Sequence, residues 1–172
     1  MARRNVAFGV GISVVLIILL TFISFSLRSD QPMSGEQKIA ANYVEARGYK
    51  IVSSPSEPFT YTLEKALLNP DNGQLPYIQI WGVQSIDPAA YFGKEITSHS
   101  FIVSGHPLDA MYGTHTALQV MMAEGKVIGG TSFPDRDDLA GAPYALDGRT
   151  LEDVIGISFS EWRKQWAEKY DE

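Results

Sequence analysis

The sequence predicts an α+β domain built on an antiparallel sheet and standing behind an N-terminal transmembrane helix. Three observations carry this reading. Residues 5–27 contain no charged side chain. The remainder mixes two-residue and helical hydrophobic periods without the regular strand–helix–strand order of a parallel sheet. Glycine- and proline-bearing turns separate the strand candidates at hairpin distances. About four or five strands are expected, with an amphipathic helix at the domain's N-terminus and an aromatic helix at its C-terminus.

The anchor comes first. Asn5 to Leu27 reads NVAFGVGISVVLIILLTFISFSL. As a helix with a rise of 1.5 Å per residue it reaches about 34 Å, enough for a hydrocarbon core of about 30 Å. Lipid has no partner for free backbone amides, so the span must be helical. The apolar run of a cleaved signal peptide is usually about 7 to 15 residues, and this one is longer. An uncleaved signal anchor is therefore expected. Cleavage before Leu27, with Ser24 and Ser26 at the −3 and −1 positions, is the alternative. The chain has no cysteine, which excludes both an acylated-cysteine anchor and disulfide staples. Arg3 and Arg4 precede the span and only Arg28 follows directly, with Asp30 close behind. The positive-inside bias then places residues 1–4 in the cytoplasm. Residues 28–34 read as a linker and 35–172 as the extracytoplasmic domain of a single-pass cell-membrane protein.

The chain holds 14 basic and 20 acidic residues; without Arg3, Arg4 and Arg28, 11 face 20, a net charge of −9 outside the membrane. Such a surface is repelled by nucleic-acid phosphates. No nucleic-acid partner is expected. The expected partners are the membrane and a protein or cell-envelope component.

Ser34 with Gln37 has capping-box spacing, and Ile39, Ala40, Tyr43 and Val44 follow at helical intervals up to Gly48, a C-terminal stop. Tyr49–Ser53 and Phe59–Leu63 alternate in a two-residue period around SPSEP and predict a β-hairpin. Residues 63–68 fit one or two helical turns, and NPDNGQ is a loop. Residues 76–84, PYIQIWGVQ, fit both a helix and a strand, and Pro76 tips the reading to helix. A strand follows over 96–104. Thr116–Ala123 and Val127–Phe133 flank Glu124-Gly125-Lys126 as a second hairpin, with Gly129 and Gly130 marking a bulge or a close packing contact. Residues 134–143 form a loop. Thr150 with Asp153 caps a short turn, and Ser158 with Glu161 opens a helix from Phe159 to about Tyr170.

Taken together, RGYKIVS, PYIQIWGVQ with DPAAYFGK, FIVSGHPLD, GKVIGGTSFPD, LDGRTLEDV and FSEWRKQWAEKY resemble small membrane-anchored extracytoplasmic proteins of spore-forming Gram-positive bacteria, a domain of unknown function. The resemblance spans roughly residues 35–170. It implies a cell-surface location and brings no catalytic residue to carry over.

His99, His106 and His115 are the three histidines, and with Asp109 they raise the question of a metal site. In a continuous strand, residues 99 and 106 would point to opposite faces, which argues against one. The chain lacks a GxSxG elbow, a phosphate-loop pattern and an EF-hand spacing around Asp135, Asp137 and Asp138. No catalytic set, cofactor or metal is therefore expected. Trp162, Trp166 and Tyr170 recur every four residues on the last helix. One reading docks this stripe on the sheet, with Arg163, Lys164, Glu168 and Lys169 solvated; the other makes it a partner surface. The expectation is a non-enzymatic binding or sensing domain, with His106, Asp109, Trp162 and Trp166 as the candidate interaction surface. The alternative is a membrane-tethered, metal-dependent or other hydrolase using His99, His106 or His115.

Overall fold

A computed structural model describes residues 33, 35–55, 57–71 and 74–171. The expected tail (1–4), anchor (5–27) and linker (28–34), Met33 apart, lie outside the described residues, and so does the Ser34 cap. Among the described residues no helix is long and apolar enough to cross a membrane.

The chain runs α1 (Gly35–Glu45), β1 (Lys50–Ser53), β2 (Phe59–Thr62), a 3-10 turn (Lys65–Leu68), α2 (Leu75–Gly82), a second 3-10 turn (Pro88–Tyr91) and β3 (Glu95–Ser104). It continues through α3 (Pro107–Tyr112), β4 (Thr116–Ala123), β5 (Lys126–Pro134), β6 (Tyr144–Ala145), α4 (Leu151–Ile155) and α5 (Phe159–Tyr170). The class is α+β with an antiparallel sheet, as expected. The sheet has six strands rather than four or five: β1, β3, β4, β5 and β6 are neighbours in that order, and β2 also pairs with β3. The additional strand, β6, spans two residues, too few for any period to show.

The hairpin expected over 49–63 does not form. Lys50 lies opposite Ser104 and Phe59 opposite Ser98, both strands antiparallel to β3. They therefore run in the same direction, end to end along one edge. Alternation specifies a strand and its faces but not its neighbour. The ten residues of β3 offer an edge long enough for both short strands, and Pro55 and Pro58 in the connection carry no amide donor. Ser54 spans the break: its hydroxyl donates to the Ser100 carbonyl at 3.0 Å and accepts from the Gln37 amide at 3.0 Å. That pair of bonds also fastens α1 to the sheet.

The second hairpin forms between β4 and β5. Glu124 (φ 52°) and Gly125 (φ 72°) are both left-handed, the conformation a tight two-residue turn demands. The register shifts between Met121 and Met122, opposite the glycine-bearing stretch, so the expected bulge is there. Close packing is there too: a Cβ on Gly130 would collide with the Gln119 carbonyl, and one on Gly129 with the Gln84 amide.

Gln84 occupies the outer edge of β5. Its Oε1 accepts from the Gly130 N–H at 3.0 Å, and its Nε2 donates to the Gly130 carbonyl at 3.1 Å and to the Ile80 carbonyl at 2.6 Å. A side-chain amide thus stands where a neighbouring strand would pair, closing an edge that β6 covers only at Thr131 and Ser132.

Strand alternation sorts the core onto two faces. Phe101, Val103, Leu118, Val120 and Met122 pack against Ala40, Ala41 and Val44 of α1 and against Leu146. On the opposite face, Ile96, Met121 and Ala123 meet Leu63, Leu68, Trp81, Trp166 and Tyr170. The ambiguous segment 76–84 is helical as far as Gly82, because this second face needs covering. Pro76 sits in its first turn, and Trp81 reaches the core, where its indole N–H donates to the Tyr61 hydroxyl at 2.9 Å.

Candidate functional site

The aromatic stripe of α5 divides between two roles. Ser158 caps the helix by accepting from the Glu161 N–H. Four rings then stack along it: Phe159–Trp162 at 5.6 Å, Trp162–Trp166 at 5.1 Å and Trp166–Tyr170 at 4.6 Å between centroids. Trp166 and Tyr170 are buried, and the Trp166 N–H donates to the Leu68 carbonyl at 2.9 Å. Arg163, Lys164, Glu168 and Lys169 are exposed, as expected for the outer face. One turn toward the N-terminus the stripe leaves the core. Trp162 is half-buried and Phe159 is 52 % exposed.

These two rings form one wall of an apolar cleft of about 530 Å³. Leu75 and Ile78 of α2 and Leu151 of α4 line it as well. The volume lies within the range of about 300–1,000 Å³ typical of small-molecule sites. Each element is placed for a local reason. Thr150 and Asp153 form a reciprocal capping box that fixes the start of α4. Gly82 allows α2 to approach α5, because a Cβ there would lie 2.7 Å from a Trp162 ring carbon. Leu75, 63 % exposed, and Phe159 leave apolar surface at the mouth.

Polar groups are few. Among the three tryptophans, the indoles of Trp81 and Trp166 donate within the fold, whereas the Trp162 indole makes no hydrogen bond among the described residues. Of the described arginines, Arg47 bonds to Tyr43, Arg136 to Asp138 and Arg149 to Asp147. Arg163, which lines the cleft, makes no such bond among the described residues. Glu152 also lines the cleft and forms no ion pair there. The lining of an apolar cleft therefore includes an unspent indole N–H, an unspent guanidinium and the Gln79 amide, with one carboxylate.

Trp162 and Trp166, singled out in the sequence, both line this cleft; His106 and Asp109 do not. His106 is 3 % exposed and is the N-cap of α3. Its Nδ1 accepts from the Leu108 N–H at 3.2 Å, so Nε2 carries the proton and donates to the Leu146 carbonyl at 3.0 Å. Burial lowers its pKa, outweighing the Leu146 carbonyl and the fields of Asp109 and Asp147. Asp109 closes the same turn, accepting from the N–H groups of Gly105 and His106 and from the Thr116 hydroxyl.

His99 is 2 % exposed, on the face that α1 covers, and neither ring nitrogen has a hydrogen-bond partner among the described residues. His115 is exposed. The three histidines do not converge, and among the described residues no group of three or more His, Cys, Asp or Glu side chains is placed to hold a metal. The Asp135–Asp138 loop is exposed, with Asp138 paired to Arg136.

The sequence reading missed Leu75 and Ile78 of the lining, and the role of Arg163. Phe159 was within reach, because a position three residues before Trp162 lies on the same helical face. Compared with known proteins, the chain matches no family model, no curated protein and no solved structure.

Proposed function

We propose that this chain is a non-enzymatic binding protein. Its residues 5–27 hold it in the membrane, and the cleft between α2 and α5 is its ligand site. One observation carries the reading. An aromatic and aliphatic cleft stays open at the surface, and its lining includes polar side chains, Gln79, Trp162 and Arg163, that make no side-chain hydrogen bond among the described residues. Folding buries apolar surface wherever it can, so an open apolar cleft of this size marks a place for a ligand. The location rests on the uncharged run 5–27 and its flanking arginines.

Two experiments test the two halves. A benzophenone photolabel is offered to the full chain in lipid nanodiscs and the adducts are mapped by mass spectrometry. Adducts should concentrate on the peptides of α2 and α5. They should fall several-fold in Ala142→Trp, which fills the cleft from an exposed lining position. Labelling spread evenly over the surface, or unchanged in that variant, would sink the ligand site. For topology, the absence of native cysteine makes an introduced thiol unique. A membrane-impermeant maleimide on intact cells should label Ser29→Cys and spare Ala2→Cys; the reverse pattern inverts the orientation.

A further inference from the structure

Resting on the ligand site proposed above, we infer that the occupant is a single-chain amphiphile with a monoanionic carboxylate head, bound with its chain in the cleft and its head at Trp162 and Arg163.

The lining decides the body of the ligand. Leu75, Ile78, Val83 and Leu151 supply aliphatic surface alongside the rings of Phe159 and Trp162. A flexible methylene chain fills a cleft of mixed aliphatic and aromatic walls, whereas a sugar would leave its hydroxyls against Leu and Ile side chains without partners. Transfer of methylenes out of water then drives binding, so affinity should climb about tenfold for each added pair until the cleft is full.

The polar lining decides the head. Trp162 and Arg163 are consecutive residues of α5 that both line the cleft, and both keep their side-chain donors unspent among the described residues, in contrast to the other tryptophans and arginines described. An indole N–H and a guanidinium together suit an oxyanion, and a guanidinium meets a carboxylate with two parallel bonds. Glu152 sets the limit on charge. It lines the same cleft without a cation partner, so a doubly charged phosphate head meets repulsion that a single carboxylate meets less. A cationic head would satisfy Glu152 but would leave both donors on α5 empty and face Arg163.

The test uses the full chain in nanodiscs and a diazirine-bearing dodecanoic acid as photolabel, with unlabelled competitors. Dodecanoate should compete about tenfold better than dodecanol, a preference expected from one charge-assisted bond to a solvated guanidinium. Dodecyl phosphate and dodecylamine should compete more weakly than dodecanoate. In Arg163→Gln the preference for dodecanoate over dodecanol should disappear while dodecanol still competes, which separates head recognition from folding. Equal competition by all four, or an Arg163→Gln variant that keeps the preference, overturns the carboxylate assignment and leaves the apolar site standing. A Leu-Leu-Leu peptide that outcompetes dodecanoate overturns the acyl chain in favour of a peptide terminus. A label that is displaced by none of these compounds and lies outside α2 and α5 defeats the ligand site itself.

Discussion

Replacing His99 by leucine should stabilise this protein, and increasingly so as the pH falls. Both ring nitrogens of His99 are buried without a partner among the described residues. A buried polar group left unsatisfied costs about 1–3 kcal/mol. Leucine removes that cost, and against it stands a change of shape in a packed core of about 1 kcal/mol. The expected net gain near pH 7.5 is about 1–2 kcal/mol. Burial holds the folded-state pKa of His99 below its ordinary value, with the field of Glu36 opposing only in part. The unfolded chain therefore binds the proton first. As pH drops through about 6.5, stability is lost at up to about 1.4 kcal/mol per unit for each such group, and the loss levels off below the folded value. His106 is shifted in the same direction, so the wild type carries two such losses and the variant one. The three tryptophans all lie beyond residue 80, so indole fluorescence during urea unfolding reports on the domain that begins at α1 alone. Unfolding at pH 7.5, 6.5 and 5.5 should show the advantage of His99→Leu widening by about 1 kcal/mol. A variant that is no more stable than wild type at any pH, with an unchanged pH slope, refutes the reasoning.

Other outcomes follow from the same contacts. Gln84→Ala leaves the Gly130 N–H and carbonyl unpaired beside a small polar hollow that water can enter; the loss should be about 2 kcal/mol with an unchanged denaturant m-value, and a loss under about 0.5 kcal/mol contradicts the edge-closing role. Gly82→Ala brings a methyl group against the Trp162 ring; the indole should move toward the cleft, giving a shift in Trp162 emission and weaker photolabelling at a stability cost of about 1–2 kcal/mol. Unchanged emission and labelling would mean that the helix contact is looser than described. Asp87 and Lys169 form an ion pair whose side chains are 55 % and 48 % exposed. Bonding to Lys169 lowers the Asp87 pKa, yet solvent screening limits its worth, and Asp87→Asn should change stability by about 0.5 kcal/mol or less. A melting temperature lowered by more than about 4 °C would show the pair to matter more.

Where a residue's own chemistry determines the backbone, the sequence was readable. Pro76 at a helix start, Gly125 in a tight turn, Gly48 after α1, and the Thr150 and Ser158 caps all act within a few residues of themselves. So does period: the stripe of α5 and the alternation of β3 follow from helix and strand geometry. Pairing is different. Whether β1 meets β2 or β3 depends on which edge is free, and nothing within residues 49–63 records that. His106 shows the same limit. Its Leu146 partner lies forty positions away, so a residue singled out as a surface candidate serves as a buried cap. The cleft was half legible, because Trp162 announces itself by spacing, while Leu75 and Ile78 join its lining only once α2 is folded against α5.

The two faces of the sheet also differ in how they would yield to mechanical load. A pull transmitted along the chain toward residue 35 reaches α1 before any strand. That helix is held by three small or branched apolar residues, Ala40, Ala41 and Val44, and by the Gln37–Ser54 bond. Peeling it away bares Phe101, Val103, Leu118 and Val120 but leaves Trp81, Trp166 and Tyr170 seated on the other side. Tension from the N-terminus would strip the α1 face first, while the face that carries α2 and α5 stays seated.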